Sequence, residues 1–375
     1  MKKIKELIIL YPSFEKGGAT ENLINFTNIS AEKGIKIYLI SNITQRDKIK
    51  FFNRNIKFYN VKSKITIGSL NRLITSINSI ITLFTLLKKI NNKNSLIVSF
   101  QSHILPIIFS KIFKRKIIIR NSEDILDATK YADYKISALF VYLLKIFFYN
   151  FSDGIITNSK GSKFSLKKFL LNKNVKTIYN PYLKKKSNRN KKKRSNILLS
   201  VGRLTKQKDF RTLIFAFYKI RDEIINYKLI IIGDGELKNS LIKLTKDLQI
   251  EKRVIFLGWR NKLDKYYKKS KLFVLSSLYE GLGNVLIDAI NYEVPIVTTN
   301  CKSGPSEIIN NKKGGYLSTV SDSDELSKKI LFALKYYNLS KKKILFAKKN
   351  IDRFLISKNS LKYLEYIEKV FYEKK

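Results

Sequence analysis

The sequence predicts two doubly wound α/β domains of similar size, each built on a parallel sheet. Short β-branched runs alternate with longer helical patterns in the first half of the chain, which is the rhythm of βαβ units. A basic segment without apolar periodicity then interrupts this order after Asn180-Pro181, and a second alternating series follows it. With 375 residues, of which 44% are hydrophobic, the chain can form roughly two to three domains with sizeable cores.

The first domain is predicted over residues 1–181. A helix is expected after Gly18. The N-terminal segment lacks the long apolar core and cleavage site of a signal peptide, and we interpret it as the first strand. The most apolar segment, residues 136–151, is interrupted by Lys145 and rich in aromatic residues. It suits a buried helix or one lying along a membrane interface, and we favour the buried helix. The strand candidates are residues 7–11, 35–41, 96–100, 117–120, 154–158 and 175–179.

A basic linker is predicted over residues 182–196, because residues 182–194 contain eight basic residues and no acid. The second domain is predicted over 197–355. Residues 356–375 form a last helical pattern that could pack back on the first domain. Its apolar face is expected to contain Leu361, Leu364, Ile367, Val370 and Phe371. The strand candidates of the second domain are residues 197–201, 228–233, 254–257, 272–276 and 295–299.

The chain is strongly basic, with 74 Lys and Arg against 29 Asp and Glu, a formal net charge of +45. Genome composition explains part of this excess, because the chain is rich in Lys, Asn and Ile, whose codons are all rich in A and T. Such a surface attracts phosphorylated metabolites, polynucleotides and acidic lipid headgroups alike, so the positive net charge does not indicate which of these the protein binds.

Several kinds of site are excluded by composition. With one cysteine, Cys301, and one histidine, His103, the chain cannot form a disulfide framework, a cysteine-rich zinc site or a two-histidine metal motif. The sequence contains no run of 18 uncharged apolar residues, so no membrane-spanning helix is predicted.

Two strand-to-helix loops have residues suited to phosphate. Gly17-Gly18 lies between a strand and a helix, where backbone N–H groups can approach an anion, although a simple turn is the favoured interpretation of the glycine pair alone. Neither a Walker A loop nor G-x-G-x-x-G occurs, which argues against kinase and dinucleotide functions. Arg203 and Lys208 share the first loop of the second domain, where a guanidinium and an ammonium suit a diphosphate, or are simply solvated cations.

The densest cluster of candidate site residues is SSLYEGLGNVLIDA, residues 276–289. A strand ends at the serines, and a helix is predicted from about Asn284, so the backbone of Gly283, Asn284 and Val285 can meet an anion. Glu280 and Asp288, eight residues apart, can bind hydroxyls on the same ligand, or serve as caps and solvated acids.

Five ordered motifs, VGRLTKQKDF, IIGDGELKNSL, VIFLGW, EGLGNVLIDA and CKSGPSEII, resemble glycosyltransferase family 4. The resemblance covers most of residues 197–315 and extends faintly to GGA, SDGIITNS and YNP in the first domain. It implies the GT-B fold, with two Rossmann-like domains facing each other across a cleft, and a retaining mechanism. The motifs look most like the subgroup that builds bacterial surface polysaccharides and lipid-linked oligosaccharides.

The resemblance also implies roles for individual residues. Arg203 and Lys208 would neutralise the departing diphosphate, and Glu280 would bind donor-sugar hydroxyls. Asp288 would bind the ribose, although the family usually has Glu there. The other implied donor-binding residues are Gly17 and Gly18 at the cleft, Asp234 and Gly235 in the donor loop, the main chain around Arg253, Val254 and Phe256 for the base, and Gly283, Asn284 and Val285 for phosphate.

On the acceptor side, the family often has a histidine after the strand at residues 117–120, where this chain has Asn121. Asn121 could substitute as a hydrogen-bonding group. His103, at the end of the preceding strand, could approach the acceptor or serve a structural purpose. The triplet Asp322-Ser323-Asp324 is expected to cap a helix rather than bind a metal.

We therefore expect a retaining glycosyltransferase without a cofactor, and one that needs no metal because Arg203 and Lys208 would neutralise the leaving group. No well-placed carboxylate nucleophile is found, and the resemblance implies that the departing diphosphate itself accepts the acceptor's proton. It would transfer a hexose or N-acetylhexosamine from a UDP-sugar to a polyprenyl-lipid-linked saccharide. The protein is expected in the cytoplasm, peripheral on the anionic inner face of the cell membrane. A sugar-nucleotide epimerase of the same fold and a non-catalytic nucleic-acid binder are the alternatives, although no specific nucleic-acid module is evident.

Overall fold

The computed structural model describes residues 4–15, 17–61, 68–90, 95–171, 174–188 and 193–373. The chain divides into two compact units. The first runs to Lys184 and takes in the chain again from Phe354, and the second covers Lys185–Arg353. Of the predicted linker, residues 189–192 lie outside the described part. Tyr182 and Leu183 belong to the first unit, where both amides donate to the Phe354 carbonyl at 3.2 and 2.9 Å.

The first unit contains a seven-stranded sheet in the order β3-β2-β1-β4-β5-β6-β7, in which every neighbouring pair is parallel. Its inner strands are runs of buried Leu, Ile and Val, as expected for a sheet covered on both faces. The strands are β1 (Glu6–Leu10), β2 (Lys36–Ser41), β3 (Ile56–Asn60), β4 (Ser95–Ser99), β5 (Ile117–Asn121), β6 (Gly154–Thr157) and β7 (Val175–Thr177).

Helices cover both faces of this sheet and give it two apolar cores. The last helix of the chain packs against the first helix and places Tyr363, Leu364, Ile367 and Val370 in one of these cores. Leu361, expected on the buried face, is exposed, and Tyr363 is buried instead. The helices are α1 (Gly18–Glu32), α2 (Gln45–Phe51), α3 (Gly68–Lys89), α4 (Ile104–Ile112), α5 (Ile125–Lys130), α6 (Lys135–Tyr149), α7 (Lys160–Lys167) and, at the end of the chain, α15 (Ile356–Tyr372).

Helix α6 corrects one expectation. We favoured a buried helix for this segment, but Tyr149 is its only buried residue and Ile136 is 88% exposed. Lys145, which interrupts the apolar run in sequence, pairs with Glu123 at 3.0 Å and is largely covered. The favoured burial was therefore wrong, and a large apolar face of α6 is open to solvent.

The second unit contains a six-stranded parallel sheet in the order β10-β9-β8-β11-β12-β13. The strands are β8 (Ser195–Val201), β9 (Lys228–Ile232), β10 (Val254–Phe256), β11 (Ser270–Leu275), β12 (Ile296–Thr299) and β13 (Tyr316–Ser318). The helices are α8 (Phe210–Lys219), α9 (Lys238–Asp247), α10 (Asp264–Lys269), α11 (Asn284–Asn291), α12 (Pro305–Ile308), α13 (Ser323–Lys335) and α14 (Tyr337–Lys349).

These two parallel-sheet units confirm the predicted fold class of two doubly wound α/β domains. In each sheet the winding reverses next to the first strand, between β1 and β4 and between β8 and β11. Ligands of open α/β sheets bind outside the carboxyl ends of the strands at such a reversal. Across the described ranges, no helix combines the length and apolar character needed to cross a bilayer.

Candidate functional site

The loops after β8 and β11 flank the reversal of the second sheet and are hydrogen-bonded to each other. The Leu278 amide donates to the Gln207 carbonyl at 2.8 Å, and Gln207 Nε2 donates to the Tyr279 carbonyl at 3.0 Å. Ser276 Oγ donates to the Lys208 carbonyl at 2.9 Å. These three bonds hold the loop of Arg203 and Lys208 beside the loop of Glu280.

Lys208 and Glu280 form a buried ion pair in which Nζ contacts Oε1. Their side chains are only 14% and 7% exposed, so little solvent screens the pair. The same Oε1 accepts a hydrogen bond from Ser277 Oγ at 2.8 Å. The sequence-predicted cation and acid are therefore in direct contact, and Ser277 orients the carboxylate.

Arg203 lies five residues before Lys208 in the same loop and is exposed. Between them, Thr205 Oγ1 is buried and has no hydrogen-bond partner within the described part of the chain. Since buried hydroxyls are normally hydrogen-bonded, an unpaired one in a loop at the sheet reversal is consistent with a polar ligand or water here. The loop thus combines the long, exposed side chain of Arg203 with the unpaired hydroxyl of Thr205.

The loop after β9 packs against the loop after β8 with no room for a side chain. A Cβ on Gly233, at φ +149°, would lie 1.8 Å from the Gly202 carbonyl oxygen, and one on Gly235 would lie 2.5 Å from that of Leu204. The Leu204 amide donates to the Asp234 carbonyl at 2.9 Å. Asp234 and Gly235 therefore support the loop of Arg203 through their main chain, while the Asp234 side chain is exposed.

Helix α11 begins directly after the loop of Glu280. Gly283 caps it with φ 90° and ψ 60°, a left-handed conformation that glycine adopts without strain. The first-turn amides at Asn284 and Val285 thus lie at the positive end of the helix, at the same edge of the sheet. Asp288, one turn further on, is partly buried in α11.

One predicted group of residues is placed differently. Arg253 immediately precedes β10 and Val254 begins it, so both lie at the amino edge of the sheet, opposite the loops just described. The Arg253 guanidinium donates to the carbonyls of Tyr227, Arg221 and Ile224, which makes it a structural tether. Of the predicted base-contacting residues, Phe256 alone ends the strand at the carboxyl edge.

In the first unit, Gly17 and Gly18 begin α1 beside the reversal between β1 and β4. Gly17 has φ 152° and caps the helix, and its carbonyl accepts the first hydrogen bond, from the Glu21 amide at 3.2 Å. A Cβ at Gly17 would meet nothing within 4 Å, so the space beside the cap is open.

His103 lies on the other side of that reversal, just before α4. Ser99 Oγ donates to the Gln101 carbonyl at 2.8 Å, so the 2.9 Å contact between Ser99 Oγ and His103 Nδ1 places the proton on Nδ1. Burial, with further contributions from Lys145 and Arg120, lowers the pKa of His103 to about 3. The imidazole is therefore neutral near pH 7, with Nε2 as its acceptor.

Asn121 ends β5 and is buried. Its Nδ2 donates to the Glu123 carbonyl at 2.6 Å, which turns the chain towards α5. This bond is a local structural role for Asn121.

The Asp322-Ser323-Asp324 triplet caps a helix, as expected. Asp322 Oδ1 accepts from the Glu325 amide at 2.8 Å at the start of α13, and Asp324 pairs with Lys219. In the described ranges, no group of three or more His, Cys, Asp or Glu residues is arranged to hold a metal ion.

Sequence reasoning gave no site role to three residues that contribute here. Ser277 was noted only as the end of a strand, yet it lies three residues before Glu280 and its hydroxyl reaches that carboxylate. Leu257 and Gly258 follow the end of β10 at the carboxyl edge, where the Gly233 amide donates to the Gly258 carbonyl at 3.0 Å. The direction of a parallel strand, read from the motif VIFLGW, could have indicated this end.

Comparisons with known proteins agree with this architecture. Residues 183–350 match the family model described as glycosyl transferases group 1. An uncharacterized glycosyltransferase of Methanocaldococcus jannaschii is 37% identical over 226 residues, 55% of this chain and 54% of the relative. An N-acetylgalactosaminyltransferase of Campylobacter jejuni, named for a diphospho-undecaprenol-linked substrate, is 33% identical over 46% of this chain and 47% of the relative. The chain thus spans about half the length of these relatives.

A crystal structure of Anabaena HepE in complex with UDP and glucose matches with a TM-score of 0.76 at 18% identity, covering 96% of this chain and 99% of that one. This likeness shows the fold. Residues 183–350 therefore match the glycosyl transferases group 1 model, in a chain whose two units have the GT-B fold.

Proposed function

We propose that this protein is a retaining glycosyltransferase that transfers a hexose or N-acetylhexosamine from a UDP-sugar to a polyprenyl-lipid-linked saccharide. The observation that carries the proposal is the contact between Lys208 and Glu280 at the reversal of the second sheet, with Arg203 exposed in the same loop. Two cations and a carboxylate thus lie at the carboxyl edge of the second sheet, where a nucleotide would bind.

The two cations serve the diphosphate leaving group. As the bond to the sugar breaks, negative charge grows on the diphosphate, and a guanidinium and an ammonium fixed nearby stabilise that charge. Lys208 starts paired with Glu280, so binding of a diphosphate gives its ammonium a second anionic partner. Glu280 keeps its hydrogen bond from Ser277 and can accept hydrogen bonds from donor-sugar hydroxyls.

Retention follows from attack on the same face as departure. In this proposal the leaving diphosphate accepts the proton of the acceptor hydroxyl, and no side chain acts as nucleophile. Since Arg203 and Lys208 neutralise the leaving group, the reaction needs no metal cofactor. The first-turn amides of α11 contact the phosphate, Asp288 contacts the ribose, and the main chain at Phe256–Gly258 contacts the base.

The choice of substrates is supported by the relatives. The Campylobacter enzyme is named for transfer to a diphospho-undecaprenol-linked saccharide, and the Anabaena structure contains UDP and glucose. A lipid-linked acceptor is presented at a membrane surface, so the protein is proposed to work on the inner face of the cell membrane. His103 and Asn121 are the proposed acceptor-side residues of the first unit, and Gly17 and Gly18 are its proposed donor-binding residues.

A thermal-shift panel of UDP-, GDP- and ADP-sugars, with and without EDTA, tests this function. Wild-type protein should be stabilised by UDP-sugars, and EDTA should not change the shift. The Arg203→Ala variant should lose most of the shift, while Arg211→Ala, which removes an exposed cation from α8, should keep it. Equal shifts in wild type and Arg203→Ala, or stabilisation only by DNA or RNA in proportion to its length, would refute the proposal.

A further inference from the structure

Helix α6 has an outward apolar stripe that no described residue of its own unit covers. Ile136, Leu139, Phe140, Leu143 and Phe147 follow one another at helical spacing on one face and are between 51% and 88% exposed. We call these five residues the α6 stripe. With a rise of 1.5 Å per residue, the stripe is about 17 Å long.

Unlike an ordinary surface helix, α6 is apolar on both faces, and Tyr142, Ile146 and Phe148 pack against the core of the unit. Its single charged residue past the first position, Lys145, lies on the inner side and pairs with Glu123, whereas the outward stripe has no charge. Globular proteins seldom expose a continuous apolar surface of this kind unless it meets a partner or a membrane.

The apolar surface continues beyond the C-terminal end of α6. The rings of Phe147 and Phe151 lie 5.3 Å apart, and Tyr142 contacts Phe169 with ring centroids 5.9 Å apart. The Leu171 amide donates to Asn150 Oδ1 at 2.7 Å, which holds the 87% exposed Leu171 beside this end of the helix. The stripe and the segment after α7 therefore form one surface.

This surface is bordered by cations. Residues 160–171 contain four lysines, Lys160, Lys163, Lys167 and Lys168, and no acid. The pKa of Lys163 is lowered, first by burial and then by the neighbouring charges of Lys167 and Lys176. The positive charges here thus reinforce one another with no acid in the segment to neutralise them.

We propose that the α6 stripe inserts into the headgroup and acyl boundary of a bilayer that contains anionic lipids, while the lysines of residues 160–168 contact the headgroups. An amphipathic surface of this kind binds through its buried apolar area together with attraction to anionic lipid. A second copy of the chain would bring the same lysines and a further +45 against this face, which disfavours self-association.

This assignment deepens the proposed function by naming the face that meets the membrane. The chain leaves the carboxyl end of β5, the edge that also bears Asn121, and reaches α6 through the short helix α5. A bilayer on the stripe would then adjoin the acceptor-side residues of this unit. Lipid binding itself depends only on α6 and its lysines, so it can be tested without any donor or acceptor.

Flotation with vesicles of phosphatidylcholine and phosphatidylglycerol tests the proposal. The double variant Phe140→Ser/Phe147→Ser should bind at least about tenfold more weakly than wild type, because it lacks two phenyl groups that wild type would bury in the bilayer. The matched control Ile49→Ser/Ile225→Ser changes two apolar residues outside the stripe that are even more exposed, and it should bind as wild type. Lys167→Gln/Lys168→Gln should weaken binding to anionic vesicles, and Lys246→Gln/Lys252→Gln should not.

A second variant reports insertion directly. The chain has one tryptophan, Trp259 in the second unit, so a Phe147→Trp variant adds a reporter that vesicles with brominated acyl chains should quench, while Trp259 stays unquenched. Unchanged flotation of the Phe140→Ser/Phe147→Ser variant, or its conversion of an oligomer to a monomer without loss of lipid binding, overturns the proposal. Lipid binding with no UDP-dependent thermal shift would instead refute the proposed function and leave this assignment standing.

Discussion

Replacing Lys208 with Met should destabilise the second unit as well as weaken donor binding. The Lys208 and Glu280 side chains are 14% and 7% exposed, and Lys208→Met leaves the Glu280 carboxylate with only the Ser277 hydrogen bond among its described partners. Breaking a buried ion pair by removing one partner costs about 3 kcal/mol or more, because the remaining charge is buried without compensation.

The double variant Lys208→Met/Glu280→Gln removes both charges and should recover most of that loss. A double-mutant cycle should therefore give a coupling energy of about 2 kcal/mol or more between the two positions. This is larger than the value of at most about 1 kcal/mol found for exposed pairs. Lys243→Met/Asp247→Asn, an exposed pair on α9, supplies that comparison within the same unit.

Urea unfolding followed by tryptophan fluorescence measures these energies in the relevant unit, because Trp259, the sole tryptophan, lies in the second unit. A coupling energy for Lys208 and Glu280 no larger than that of the α9 pair would refute the reasoning that their contact is a buried, unscreened ion pair.

Three further predictions concern single positions. Gly233→Ala should cost several kcal/mol in urea unfolding, since its Cβ would lie 1.8 Å from a carbonyl oxygen, whereas Gly258→Ala, with φ +66° and nothing within 4 Å, should cost about 1 kcal/mol. His103 has a pKa of about 3 in the folded protein against an ordinary 6.5, so the unfolded chain binds the extra proton and stability should fall as the pH drops from about 6.5 towards 3. In unfolding followed by circular dichroism, the free energy of unfolding of His103→Gln should fall by about 1 to 2 kcal/mol less than that of wild type between pH 7 and 5. Asp322→Ala should cost about 1 kcal/mol in thermal unfolding through loss of the α13 cap; unchanged unfolding in any of the three would contradict the corresponding contact.

The inner strands could be predicted from sequence because their residues are buried on both faces and form continuous β-branched runs. The strands that were missed are edge strands. In β3 the sequence IKFYN exposes Lys57 and Asn60, and β13 has three residues, so neither gives a long apolar run. Each pairs with the strand that precedes it in the chain, β2 or β12, so it was the polar or short sequence of the strand, and not an unusual pairing, that hid it.

The site could be predicted to the level of loops. Glycine-rich motifs after strands identified the loops of Arg203, Asp234 and Glu280, but a sequence pattern does not show which end of a short strand faces a ligand, and Arg253 was misplaced for that reason. Helix α6 shows a related limit. When nearly every position is apolar, periodicity cannot indicate which face is buried. The packing of Tyr142, Ile146 and Phe148 against the core settles the orientation, together with the Lys145–Glu123 pair.

The central claim is that fixed cations of the second unit bind and neutralise the diphosphate. Its most direct test is to compare the affinities of UDP and uridine by calorimetry in EDTA for wild type and Arg203→Ala. Wild type should bind UDP far more tightly than uridine, and Arg203→Ala should lose most of this difference while its uridine affinity stays the same. If the difference between UDP and uridine survives intact in Arg203→Ala, or appears in wild type only when a divalent metal is added, the account is contradicted.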